Sequence, residues 1–150
     1  MKNTASKMLV KIKRIDKTLP LPKYESAGAA ALDLYARVRT EIPPKSIGKI
    51  PSNLIVLTPP GHVFIVVPRS STPKRKGLSI PQGLGIIDRD YSGPDDEIAM
   101  HFYNFTDEVV VVERGERIAQ GFCLPVDRIE WEETEQLDNP TRGGFGSTGY

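Results

Sequence analysis

The chain has 150 residues, 26% of them charged, and a net charge of +1. That length fits one domain with a real core, the near-neutral balance argues against a bulk binder of nucleic acid or acidic membrane, and the lone Cys123 excludes an internal disulfide framework. No apolar run approaches the roughly 20 residues of a membrane span and no signal-peptide core follows Met1, so the expectation is a soluble protein, cytoplasmic or otherwise intracellular.

Met8 to Ile15 alternates apolar and basic residues, which predicts a strand. Leu19-Pro20-Leu21-Pro22 interrupts it with an extended path. Ala27 to Ala36 is alanine-rich, yet Leu32, Leu34 and Ala36 alternate with Asp33 and Tyr35, so a strand is preferred to a helix. Asp33, among small apolar neighbours, needs a partner, because an unpaired buried carboxylate is costly. Ile42 to Ser46 reads as a turn, and Ile47 to Pro51 and Leu54 to Leu57 as short apolar runs. After Pro59-Pro60-Gly61, His62 to Val67 is strongly β and ends at Pro68. Thr72 as N-cap, Pro73 at the first helical position and Gly77 as the stop predict one short helical turn. Arg69, Ser70 and Ser71 at its mouth suit an anion, with a capped turn and solvated bases as the competing reading.

Gly83 to Gly93 is the most chemically loaded stretch. Gly83 and Gly85 permit positive φ and close approach of a ligand to backbone. Ile86 and Ile87 favour an extended strand. Asp88 and Asp90 share a face if that strand continues and separate if the chain turns. A hairpin that exposes its backbone and ends in an acid beside an aromatic can hold a small polar ring and present a base. A plain hairpin with solvated acids competes, since turns are rich in Gly and Asp.

Further on, Ile98, Met100 and Phe102 alternate with Glu97, Ala99 and His101, and Val109 to Val112 and Arg117 to Phe122 are also β. His62 and His101 read as satisfied strand histidines and Cys123 as a buried strand residue. Ile129 and Trp131 are assigned to a last short strand. Many short strands without a long amphipathic helix predict a β-sandwich or barrel. The tail from Asp138 cannot build a core, but it carries a guanidinium, an aromatic ring and hydroxyls. It suits an arm that orders over a ligand, with a frayed end as the alternative.

Five segments in this order resemble the five motifs of the deoxyuridine triphosphatases (dUTPases). They are Ala29 to Leu34, Pro68 to Ser71, Gly85 to Gly93, Gly115 to Gln120 and Arg142 to Gly149. The resemblance implies an all-β fold, a distorted jelly roll or β-clip barrel with one short helix. It implies a jelly-roll domain over 1–137, a flexible C-terminal arm over 138–150, and a homotrimer with active sites shared between subunits. It implies hydrolysis of dUTP to dUMP and pyrophosphate with Mg²⁺, which supplies the thymidylate precursor and limits uracil in DNA. No nucleic-acid or membrane partner is implied.

The family's roles carry over to matching positions. Asp88 would activate the water that attacks the α-phosphorus and contact the sugar 3′-hydroxyl. Tyr91 would pack under the deoxyribose and exclude a 2′-hydroxyl. Backbone around Gln82, Gly85, Ile86 and Ile87 would read uracil, with Ala99 also contacting substrate. Arg69, Ser70, Ser71 and Gln120 would hold the phosphates, and Asp33 would act indirectly through metal-bound water or at the interface. Phe145 would close over the base, and Arg142, Gly146, Ser147 and Thr148 would close over the phosphates. The chain departs from the pattern in a shortened Arg142-to-Gly143 spacing, a longer Gly93-to-Glu97 segment whose acids could bind metal, Gln82 in place of asparagine, and Ser71 in place of glycine. A dCTP deaminase or bifunctional deaminase/dUTPase is the rival enzyme, but Met100 and His101 stand where that family needs a glutamate. A dUTP-responsive regulatory protein is the rival of another class, and the intact Asp88 argues against a non-catalytic version.

Overall fold

A computed structural model of the chain describes residues 7–144. Its elements run β1 Lys11–Arg14, β2 Leu32–Tyr35, β3 Thr40–Ile42, β4 Ile47–Pro51, β5 Leu54–Leu57, β6 His62–Pro68, α1 Thr72–Lys76, β7 Leu78–Ser79, β8 Gly85–Ile87, β9 Ala99–Asn104, β10 Val110–Val112 and β11 Arg117–Pro125. The fold is thus nearly all-β with one short helix among the described residues, arranged as a jelly-roll-like set of antiparallel sheets. The largest sheet has the order β2-β11-β6-β8, a second has β4-β9-β7, and two pairs, β1-β5 and β3-β10, complete the set.

The apolar β-branched runs make the central strands, as their pattern demands. In β6, Val63 to Val66 are all buried, because β11 and β8 flank the strand on either side. In β9, Met100 and Phe102 point inward, continuing the alternation that starts at Ile98. They meet Leu34, Ile42, Ile50, Val56, Phe64, Leu78 and Ile118 in one core.

Several local expectations change. The strand predicted from Ala27 begins only at Leu32, whose partner is Gly121. Alanine has low strand propensity and buries little, so the preceding segment stays irregular. β3 and β7, of three and two residues, are too short for alternation to reveal. The helix cap is Ser71, one residue earlier than expected, so Thr72 is the first helical residue. The Thr72 hydroxyl is taken by the Ile118 carbonyl, to which it donates at 2.7 Å. Gly77 closes the helix as predicted, at φ 66° with its N–H on the Pro73 carbonyl. Cys123 is half-buried, and that burial raises its thiol pKa. The strand assigned to Ile129 and Trp131 is not formed: among the described residues regular structure ends at Pro125, and both side chains are exposed. A strand needs a neighbour to satisfy its backbone, and none is offered there among the described residues.

Candidate active site

The β8 hairpin begins at Gly83, which sits at φ 85° with its N–H donating to the Ile80 carbonyl. Gly85 lets the strands approach closely, since a Cβ there would lie only 3.3 Å from the Val66 Cβ of the neighbouring strand. β8 is the outer strand of its sheet, so it is paired to β6 on one side only. A cleft of about 410 Å³ adjoins it, lined by Gln82, Gly85, Ile86 and Ile87 of the hairpin and by Ala99 of β9. All five are sequence-predicted site residues. Met100 and His101 also line this cleft and were not named for it. His101 was legible, because it lies two residues from Ala99 and so on the same strand face.

Alternation stops at Ile87. The Tyr91 N–H donates to the Asp88 carbonyl at 3.2 Å, closing a turn, so Asp88 and Asp90 do not share a strand face. Asp88 is exposed. The Tyr91 hydroxyl donates to the Glu97 carbonyl at 3.4 Å. Two of the acids of the longer segment, Asp96 and Glu97, are already engaged. Asp96 accepts the Gly93 N–H at 2.7 Å. Glu97 takes Arg37 in a bidentate pair, at 2.8 and 2.9 Å, and also the Asn53 N–H at 2.8 Å. The hydrogen-bonded Glu97 carboxylate in turn pushes the Arg37 guanidinium above its ordinary pKa.

A second group of predicted residues gathers where β6 ends against β11. Asp33 is buried, with Arg69 Nε 3.2 Å from one oxygen and Arg117 Nη1 3.2 Å from the other. The partner demanded by the sequence is therefore a pair of guanidiniums. Arg117, which lies within the Gly115-to-Gln120 motif and carries no role in the resemblance, also contacts Glu25 at 3.1 Å. The Arg69 N–H and guanidinium reach the Ile118 and Arg117 carbonyls, and Gln120 Nε2 lies 3.5 Å from the Pro68 carbonyl. Ser71 makes no side-chain capping bond. Two hydroxyls beside anchored guanidiniums make a donor-rich mouth suited to a polyphosphate.

The register spaces the two groups along β6: Gly85 lies opposite Val66, three residues or about 10 Å before Arg69, and Ile87, next to Asp88, lies opposite Phe64, five residues or about 17 Å before it. Arg142 is exposed in the irregular segment after β11. Phe145, Gly146, Ser147 and Thr148 lie outside the described residues.

No group of three His, Cys, Asp or Glu residues converges among the described residues. Asp33 Oδ2 is buried and, among those residues, accepts no hydrogen bond of good geometry. One carboxylate already paired with two guanidiniums does not make a protein cage for a metal. It does fit a Mg²⁺ held chiefly by phosphates and water. Among the described residues, no helix is long and apolar enough to cross a membrane.

Comparison with known proteins gives the same direction throughout. The dUTPase family model matches residues 17–149. A deoxyuridine 5′-triphosphate nucleotidohydrolase of Dictyoglomus turgidum is 46% identical, over 93% of this chain and 97% of the relative. Its Corynebacterium glutamicum counterpart is 41% identical, over 93% and 94%. The crystal structure of dUTPase from Streptococcus mutans superposes with a TM-score of 0.73 at 35% identity, covering 80% of this chain and 98% of that one. With a match that runs through both residue groups, this chain belongs to the dUTPase family.

Proposed function

We propose that the protein hydrolyses dUTP to dUMP and pyrophosphate, supplying a thymidylate precursor and limiting uracil in DNA. One observation carries the reading: the unpaired edge of β8 borders the cleft, and an exposed carboxylate, Asp88, follows it directly. A strand edge offers alternating N–H and C=O groups, which complement the edge of uracil. The cleft side of Ala99 closes the far wall against a larger base. Tyr91 lies under the deoxyribose, where a 2′-hydroxyl would need its space.

Asp88 accepts a proton from water as that water attacks the α-phosphorus. The bond from the α-phosphorus to the bridging oxygen breaks, and pyrophosphate leaves. A carboxylate can accept hydrogen bonds from water and sugar together, so one residue serves both positions. Arg69, Ser70, Ser71 and Gln120 bind the phosphate chain and neutralise charge as it develops. Asp33 would stand near a Mg²⁺ bound together with the nucleotide, and that ion would supply further charge neutralisation. The C-terminal arm, 138–150, closes over the nucleotide, bringing Phe145 to the base and Arg142, Gly146, Ser147 and Thr148 to the phosphates.

The roughly 17 Å along extended β6 between Arg69 and the Ile87 end of the hairpin, which carries Asp88, supports an assembly in which one copy supplies Asp88 and a neighbour supplies Arg69. A closed homotrimer with three equivalent sites meets that requirement.

Product analysis with Mg²⁺ and dUTP, dCTP or UTP tests the reading. dUMP and pyrophosphate from dUTP alone is the expected result, and ammonia from dCTP would refute it. Asp88→Asn is expected to bind dUTP within a few-fold of the parent while kcat falls by roughly 10³, the usual worth of a positioned base. Near-normal turnover in that variant would remove Asp88 from its role.

A further inference from the structure

Tyr91 is not held by the strand that leads to it. The residue is 43% exposed, β8 ends at Ile87, and a turn separates the two. Its hydroxyl instead reaches across to the Glu97 carbonyl. The residues between them form a small closed loop. Ser92 Oγ donates to the Arg89 carbonyl at 3.0 Å, the Gly93 N–H to Asp96 Oδ2 at 2.7 Å, and the Asp96 N–H to the Gly93 carbonyl at 3.2 Å. Beyond its own turn bond to the Asp88 carbonyl, the Tyr91 hydroxyl is thus tied at 3.4 Å to the Glu97 backbone.

Glu97 is fixed to the body by its side chain. Its side chain is only 16% exposed, and its carboxylate takes three hydrogen bonds, two from Arg37 and one from the Asn53 N–H. Both partners are rigid. Asn53 is buried in the left-handed region at φ 71°, with its side-chain amide exchanging two hydrogen bonds with the Asp16 backbone. The Arg37 N–H donates to the Pro51 carbonyl at 2.8 Å. One residue on, Ile98 is paired with the Leu54 and Ser52 backbone. A charged, bidentate pair with planar partners fixes orientation as well as distance.

We propose that the Arg37–Glu97 pair positions the Tyr91 ring and thereby sets discrimination between deoxyribose and ribose. Glu97 is a positioning residue, acting through Tyr91 and touching no substrate. The longer segment from Gly93 to Glu97 is then the brace of the sugar gate. This rests on the dUTP reading above, because the gate is defined by the sugar of that substrate.

The test compares kcat/KM for dUTP and for UTP in the full-length protein with Mg²⁺, for the parent, Glu97→Ala, Glu97→Gln and Arg37→Ala. The dUTP:UTP ratio is expected to fall roughly tenfold in Glu97→Ala and Arg37→Ala, since a small misplacement at a site is costly. Glu97→Gln keeps one acceptor oxygen for Arg37 Nε and the Asn53 N–H but turns an NH2 donor toward Arg37 Nη2, so it should retain only part of the ratio, between the parent and Glu97→Ala. The double Ala variant should lose little beyond either single one, because both remove the same interaction. A ratio unchanged in both Ala variants, or rates on the two nucleotides falling by one common factor, would overturn the proposal. If Glu97→Ala fails to fold, Arg37→Ala carries the same comparison. A parent protein that turns over neither nucleotide would instead overturn the dUTP reading and, with it, this one.

Discussion

Asn104 illustrates how a single polar side chain can organise several segments. It is completely buried at the end of β9. Its amide nitrogen donates toward the carbonyls of Ile42, Pro43 and Glu108 at 2.9, 3.1 and 2.7 Å, and its oxygen accepts from the Thr106 N–H and hydroxyl. It thus ties β3, β9 and the turn before β10 together without an apolar contact. Asn104→Ala is expected to destabilise the protein by about 2–4 kcal/mol, because several buried groups lose their partner at once. Urea unfolding of the variant measures this. The alternation through Ile98, Met100 and Phe102 puts residue 104 on the inner face, so its burial was legible. Its partners were not, because they come from segments some 60 positions earlier in the chain and from a turn that sequence alone leaves unshaped. Asp33 divides the same way: its need for a partner follows from its apolar neighbours, while the choice of Arg69 and Arg117 follows from how β2, β6 and β11 lie together.

Among the elements, β6 is the one on which the site depends, since it carries Arg69 at its end and the β8 hairpin along its side. Its fit against β11 requires Gly121. That glycine lies opposite Val66 and Leu32, and a Cβ there would run into the Phe64 ring. Phe64 is itself opposite Ile87. Gly121→Ala is expected to cost about 1–3 kcal/mol through overpacking. It should also weaken nucleotide binding, because the displaced ring bears on the hairpin. Calorimetric unfolding together with titration of a non-hydrolysable dUTP analogue would show both, and unaltered binding in a destabilised protein would separate core from site. Long β-branched runs such as β5 and β6 were legible almost to the residue. The short strands β3 and β7 were not, because their pairing is imposed by neighbours. Ile129 and Trp131 failed in the opposite sense: their composition favours a strand, but the chain alone gives them nothing to pair with.

At the level of the whole molecule, the chain looks unfinished. Trp131 is 86% exposed, and Ile129 and Leu137 are also largely in solvent. The two halves of the proposed site lie far apart along one strand. Both features are met by the proposed assembly, in which neighbours supply cover and missing residues. A mixing experiment separates this from a site built within one chain. Asp88→Asn and Arg69→Ala proteins, each inactive, are unfolded and refolded together in equal amounts. Every mixed trimer then contains one site with an intact carboxylate from one chain and an intact guanidinium from the next. Random assembly predicts recovery of about a quarter of the parent activity, measured as pyrophosphate release; recovery no greater than the sum of the separate proteins would rule the shared site out. The distance along β6 thus has a genetic counterpart. Two defective alleles of one gene, one altered at Asp88 and the other at Arg69, would yield working enzyme in the same cell although neither does so alone.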